Sequence, residues 1–170
     1  CGQGQLLKLA RGRFASLVGC DPSAAMLQAC EGLEVRVQDA LDAIPFPDNS
    51  FDLVTAVCVL HHVATDHRLP IAREAYRVLT PGGIFAVIEH NPWNPATQLI
   101  VWQTPVDADA RLLRSGTARR LARQAGLIPT ETAYFLYLPE RLYRRAGALE
   151  HALRGVPLGG QYVAFAEKPR

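Results

Sequence analysis

Cys1-Gly2-Gln3-Gly4, followed by Ser16-Leu17-Val18-Gly19-Cys20-Asp21, is the stretch that decides the fold. Glycines at alternate positions allow a tight turn and let backbone N–H groups come close to a ligand. Gln5 to Ala10 reads as the helix after that turn, and Ser16 to Cys20 as a strand that delivers Asp21 at its end. Asp39 follows the short strand Val35-Arg36-Val37 in the same way. A glycine turn with acidic residues at successive strand ends suits an adenosine-bearing cofactor on an open α/β sheet. A dinucleotide fingerprint would want a third glycine at position 7, but Leu7 stands there, which disfavours a nicotinamide or flavin cofactor.

Outward from this stretch, short apolar runs alternate with helical patterns, the mark of βαβ units. Asp21-Pro22-Ser23 opens a helix through Cys30, with Ser23 as its N-cap. Phe51 to Leu60 reads as a long buried strand, almost without polar interruption. Leu69 to Leu79 is an amphipathic helix with Ile71, Ala75, Val78 and Leu79 on one face, stopped by Pro81-Gly82-Gly83. Ile84 to Ile88 is the next strand, and Ser115 to Ala125 a helix ended by Gly126. Thr130 to Leu138 and Gln161 to Glu167 form a final antiparallel pair, with residues 92–114 and 139–158 as irregular or helical insertions.

With 170 residues, 49% hydrophobic and 20% charged, the chain reads as a single domain. No apolar run reaches the length of a membrane span. Four scattered cysteines with no CxxC pair suggest neither a zinc site nor a disulfide framework, which fits the cytoplasm. Of the 18 basic residues, 16 are arginines, concentrated after residue 110. Arg119, Arg120, Arg123, Arg141, Arg144 and Arg145 read as solvated helix faces. The alternative is an anionic partner at this arginine-rich C-terminal third; no clear nucleic-acid or membrane partner is indicated.

Phe46-Pro47-Asp48-Asn49-Ser50-Phe51-Asp52-Leu53-Val54 and Leu79-Thr80-Pro81-Gly82-Gly83 complete the pattern begun by the glycine turn. Together these motifs resemble the class I S-adenosylmethionine-dependent methyltransferases of the small-molecule group, well over residues 1–91 and loosely beyond. The resemblance implies a Rossmann-like open α/β sheet, mostly parallel with a C-terminal antiparallel pair and helices on both faces. It divides the domain into a cofactor-binding core at 1–91 and acceptor-side insertions with the strand pair at 92–170. It also implies a strand before Cys-Gly-x-Gly, between those carrying Asp21 and Cys58. The chain begins at Cys1, so the expected frame lacks that strand.

S-adenosylmethionine is the cofactor the resemblance implies, with Cys1, Gly2 and Gly4 at the turn and Asp21 and Pro22 near the ribose. Met26 would face the nucleoside or pack in the core. Asp39 would accept from the adenine amino group while the Ala40 amide reaches the ring edge. Backbone at Cys58 and Val59 would touch the methionine part. Turn capping accounts for Asp21 or Asp39 on local grounds alone, and Cys58 serves equally as core filler.

His61, His62 and His90 lie at strand ends opening on one crevice, where a histidine can take a proton from an acceptor near pH 7. Each can instead hold a loop while positioning alone carries the reaction. No histidine and carboxylate spacing supports a metal site, so none is expected. Trp93, Trp102 and Leu99-Ile100-Val101 would wall a hydrophobic acceptor or pack on the sheet. The expected reaction is methyl transfer to oxygen or carbon of a small, hydrophobic or lipid-like molecule. The rivals are a nicotinamide-dependent oxidoreductase, which also lacks a Tyr-x-x-x-Lys pair here, and a non-catalytic binding module.

Overall fold

A computed structural model describes residues 1–40, 42–107, 109–138 and 140–170, the side chains of residues 140 and 145 excepted. Residues 108 and 139, within the two expected insertions, lie outside it, as does the Arg145 side chain. The elements run α1 (Gln5–Ala10), β1 (Val18–Asp21), α2 (Ala24–Leu27), β2 (Glu34–Val37), β3 (Phe51–Val57), α3 (Arg68–Val78) and β4 (Leu79–His90). They continue with α4 (Pro95–Gln103), α5 (Ser115–Gln124), β5 (Ile128–Phe135), α6 (Glu140–Ala152) and β6 (Gln161–Glu167), with 3-10 turns at Leu60–His62 and Pro105–Asp107.

The fold is Rossmann-like α/β, its strands grouped as β1-β2 and β3-β4-β6-β5. β1 and β2 are parallel, as are β3 and β4, whereas β6 runs antiparallel to β4 and β5. β1 and β3 are not hydrogen-bonded to one another, and β3 has β4 alone as its neighbour among the described residues. The strand is covered on one face only, which corrects the expectation of a buried strand: Leu53, Thr55 and Val57 are exposed, whereas Ala56 on the other face is buried. The strand also stops before Leu60, because Cys58 turns the backbone to a φ of 52°.

The core lies between the four-stranded group and helices α3 and α5. Ala72 and Ala75 of α3 and Ala118 and Ala122 of α5 meet Phe85, Val87, Tyr162, Ala164 and Ala166 of β4 and β6. The small side chains sit at helical spacing and let both helices approach the sheet closely. Gly126, at a φ of 98°, ends α5 as its amide reaches Arg123 O at 3.1 Å and that of Leu127 reaches Ala122 O at 3.0 Å. Tyr162, fully buried, donates to Leu113 O at 3.1 Å.

The segment between β2 and β3 is clasped by α3. Arg77 donates to Ile44 O at 2.9 Å and Phe46 O at 2.9 Å and pairs with Asp48 and Glu74, while Glu74 accepts the Ile44 amide at 2.9 Å. Ser23 caps α2 as expected, its hydroxyl accepting from the Met26 amide, although the helix ends at Leu27 rather than Cys30. None of the α2 residues is buried, so Met26 does not pack in the core. All four cysteines are free thiols. No described helix is long and apolar enough to cross a membrane.

Candidate functional site

The glycine turn and Asp21 form one unit. Gly2 and Gly4 adopt φ values of 54° and 70°, in the left-handed region that glycine enters without strain. The Gly2 amide donates to Asp21 Oδ2 at 2.7 Å, and the Cys1 nitrogen lies 2.9 Å from the same oxygen. The Ser23 amide donates to Oδ1 at 2.9 Å. Burial pushes the Asp21 carboxyl up, but these hydrogen bonds outweigh it and hold it below its usual range. The two glycines have different reasons. A Cβ on Gly4 would stand 2.5 Å from Leu33 Cδ1 and 3.1 Å from Cys30 Sγ, whereas one on Gly2 would meet nothing within 4 Å. Gly4 is set by packing; Gly2 faces open space.

β1 and β2 run parallel with Asp21 opposite Val37, so Asp39 emerges just beyond the same end of the pair. Asp39, Ala40, Pro22 and Met26 are all exposed around this end. Ala40 forms an isolated bridge with Ala43.

At the end of β3 the backbone is organised by a carboxylate from the neighbouring strand. Glu89, wholly buried, accepts the Leu60 amide at 2.7 Å and the Val59 amide at 3.1 Å on Oε1. Its Oε2 bonds His61 Nδ1. The Val59 carbonyl accepts the His62 amide at 3.1 Å, so both backbone groups of Val59 are engaged within the protein. His61 is 1% exposed, with Nδ1 bound to Glu89. Burial lowers the His61 imidazole, but the Glu89 and Asp107 carboxylates outweigh it and raise it.

His62 is more open, its Nε2 3.3 Å from Asp107 Oδ1, and His61 Nε2 lies 3.4 Å from that oxygen. His90 is half-buried at the end of β4, its ring centroid 5.2 Å from that of His61. Its Nε2 is 3.9 Å from Cys58 Sγ and its Nδ1 3.4 Å from Gln161 Nε2. Burial and then the neighbouring His61 push His90 down, which favours its neutral form at pH 7. Burial, with Glu89 and Asp107, pushes the Cys58 thiol up to about 11, so it is an unreactive thiol despite its histidine neighbour.

The apolar segment after β4 does not pack on the sheet as a whole. Of its large residues only Val101 is buried; Trp93, Leu99, Ile100 and Trp102 face outward. Asn91, by contrast, is fixed, donating to Pro157 O at 3.0 Å and Gly159 O at 2.8 Å. Glu89 and Asp107 went unselected in the sequence. Glu89 stands beside His90 and was legible as a charge within an apolar strand, but Asp107 comes from an irregular segment with no local signal.

A protein-family model described as a methyltransferase domain matches residues 1–87. The chain is similar to a tRNA (carboxymethyluridine(34)-5-O)-methyltransferase of Arabidopsis thaliana, with 33% identity over 64% of this chain and 27% of that protein. It is also similar to a demethylmenaquinone methyltransferase of Thermus thermophilus, with 35% identity over 82% of this chain and 61% of that protein. The chain spans about a quarter of the tRNA enzyme and about three fifths of the demethylmenaquinone enzyme. A crystal structure of a SAM-dependent methyltransferase from Archaeoglobus fulgidus superimposes with a TM-score of 0.76 at 18% identity, covering 99% of this chain and 83% of that one. That superposition bears out the Rossmann-like fold, and the match over residues 1–87 shows that the chain belongs to the methyltransferase domain family, whose cofactor is S-adenosylmethionine.

Proposed function

We propose that the chain takes part in methyl transfer from S-adenosylmethionine to an oxygen or carbon atom of a small, hydrophobic or lipid-like acceptor. The observation that carries this reading is the bond between Gly2 and Asp21, which joins the glycine turn to a carboxylate inside the family match. The residues fit an adenosine-bearing group. Space is open above Gly2, Asp39 is exposed, and Asp21, with three donors on about four lone-pair sites, retains one for a ligand hydroxyl. When bound, the cofactor supplies an activated methyl group on a sulfonium.

Asp21 would accept from the ribose, Asp39 from the adenine amino group and the Ala40 amide would reach the ring edge, with Cys1, Pro22 and Met26 against the nucleoside. Gly4 would keep the turn compact, and Cys58 would line the methionine side. Residues 1–91 would hold the cofactor and 92–170 shape the acceptor side. His90, favoured as a neutral imidazole, would accept a proton from the acceptor; His62 is the alternate base.

The demethylmenaquinone enzyme matches 82% of this chain against 64% for the plant tRNA enzyme, and the exposed apolar rim at Trp93 and Trp102 suits a hydrophobic acceptor. The second reading is a tRNA acceptor, supported by the basic cleft lined by Arg114, Arg120 and Arg123. Free thiols suit work in the cytoplasm. Incubation with methyl-labelled cofactor and either demethylmenaquinone or bulk tRNA separates the readings. Label in the solvent-extracted product supports the first; label confined to tRNA overturns it.

A further inference from the structure

We propose that His61, His62 and Asp107 form a binding site for a divalent transition-metal ion of the Zn²⁺ class. One ligand atom from each of the three lies within 4.8 Å of the others. His61 Nε2 and His62 Nε2 stand 3.4 Å and 3.3 Å from Asp107 Oδ1. Bonds of about 2.0–2.1 Å in a tetrahedron hold their ligand atoms about 3.3–3.4 Å apart, so two edges of such a site are already in place. The third edge, between the two imidazoles, is within 4.8 Å.

The second observation is at His61 itself. An ionised Glu89 carboxylate only accepts, so Nδ1 of His61 must be the donor in that bond. Its Nε2 is then a bare lone pair in the neutral ring. This atom is buried, has no hydrogen-bond partner, and faces a carboxylate oxygen that is also an acceptor. A cation seated between Nε2 and Oδ1, 3.4 Å apart, would satisfy both. The wider charge agrees: Glu89 and Asp107 flank the ring, and among the described residues no arginine or lysine forms an ion pair with either. Glu89 behind a ligating imidazole also has the form of an outer-shell carboxylate, which fixes the tautomer and raises the basicity of the ligand.

Two imidazoles and one carboxylate suit Zn²⁺ or Co²⁺ rather than Mg²⁺ or Ca²⁺, which prefer oxygen. Three protein ligands leave a coordination position open to water or an oxygen donor. Asp107 also lines a cleft of about 440 Å³ with Gln98, Val101 and Trp102. His67, exposed beside Asp66, lies outside the cluster and serves as a control.

The test titrates the chain with Zn²⁺ alone by calorimetry and with Co²⁺ alone by visible absorption. One ion should bind per chain, with the intense visible bands of tetrahedral Co²⁺. His62→Ala and Asp107→Asn, both at partly accessible positions, should each weaken binding by at least about 10-fold, the lower scale for disturbing even an outer shell. His67→Ala should leave it unchanged. No stoichiometric binding, or equal binding in the His62 and Asp107 variants with their folds intact by circular dichroism, would overturn the proposal. A ¹⁵N spectrum showing both His61 nitrogens protonated in the presence of Zn²⁺ would also overturn it, because a buried imidazolium would then answer both carboxylates.

Discussion

Replacing Glu89 by leucine and by glutamine separates the hydrogen bonds this carboxylate makes from the charge it carries. Glu89 is wholly buried and receives three donors: the Val59 and Leu60 amides and His61 Nδ1. In Glu89→Leu all three lose their acceptor where water is excluded. At about 1–3 kcal/mol for each buried group left unsatisfied, reduced by partial relaxation of the turn, the expected loss is about 3–5 kcal/mol. In Glu89→Gln the amide oxygen can still receive both backbone N–H groups. The amide nitrogen then faces Nδ1, which becomes an acceptor while Nε2–H turns to Asp107. What is lost is charge assistance, partly offset because a buried charge is removed, for a net of about 1–2 kcal/mol. Urea unfolding of the three proteins, read by circular dichroism with slopes compared, measures both values. A leucine variant within about 1 kcal/mol of the original would refute the reasoning, since the end of β3 would then have another source of acceptors.

Gly4→Ala should destabilise by about 2–4 kcal/mol in the same assay, from left-handed strain and overlap with Leu33 together; Gly2→Ala, with open space above it, should lose only the strain. Asp21 has a lowered native pKa, so its stabilising effect is present above the usual value of 3.8 and disappears as pH falls through the lowered one. Thermal melts of Asp21→Asn should therefore show a weaker decline in stability on acidification over that window than the parent. His90→Gln should reduce turnover by about 10²-fold with cofactor affinity unchanged if His90 removes the acceptor proton, whereas a fall of a few-fold would make it a positioning residue.

The parts legible in sequence were those written locally. Gly2, Gly4 and Asp21 announced a turn and a strand end because φ freedom and apolar runs leave short-range marks, and Ser23 and Gly126 marked helix ends by their capping chemistry. The burial of a strand was not local. Phe51 to Val57 is apolar enough for a parallel interior strand, yet Leu53, Thr55 and Val57 lie on a face that is left exposed while Ala56 on the other face is buried. Trp102 and Ile100 carry the hydrophobicity of core residues but sit on a face of α4 that the sheet does not cover. Glu89 is next to His90 in sequence, but its partners are in the turn of residues 59–61 that follows the adjacent strand. Asp107 completes the histidine pair only through tertiary folding. Periodicity reports which residues favour burial; the packing of layers onto each face decides which are buried.

The central claim, that the glycine turn and Asp21 together hold S-adenosylmethionine, is tested most directly by calorimetry of S-adenosylhomocysteine binding to the chain and to Asp21→Ala. A hydrogen bond to an ionised group contributes about 1.5–3 kcal/mol, so the variant should bind about 10- to 150-fold more weakly with unchanged stoichiometry. Equal affinity in the two proteins, or preferential binding of NADH, would contradict it.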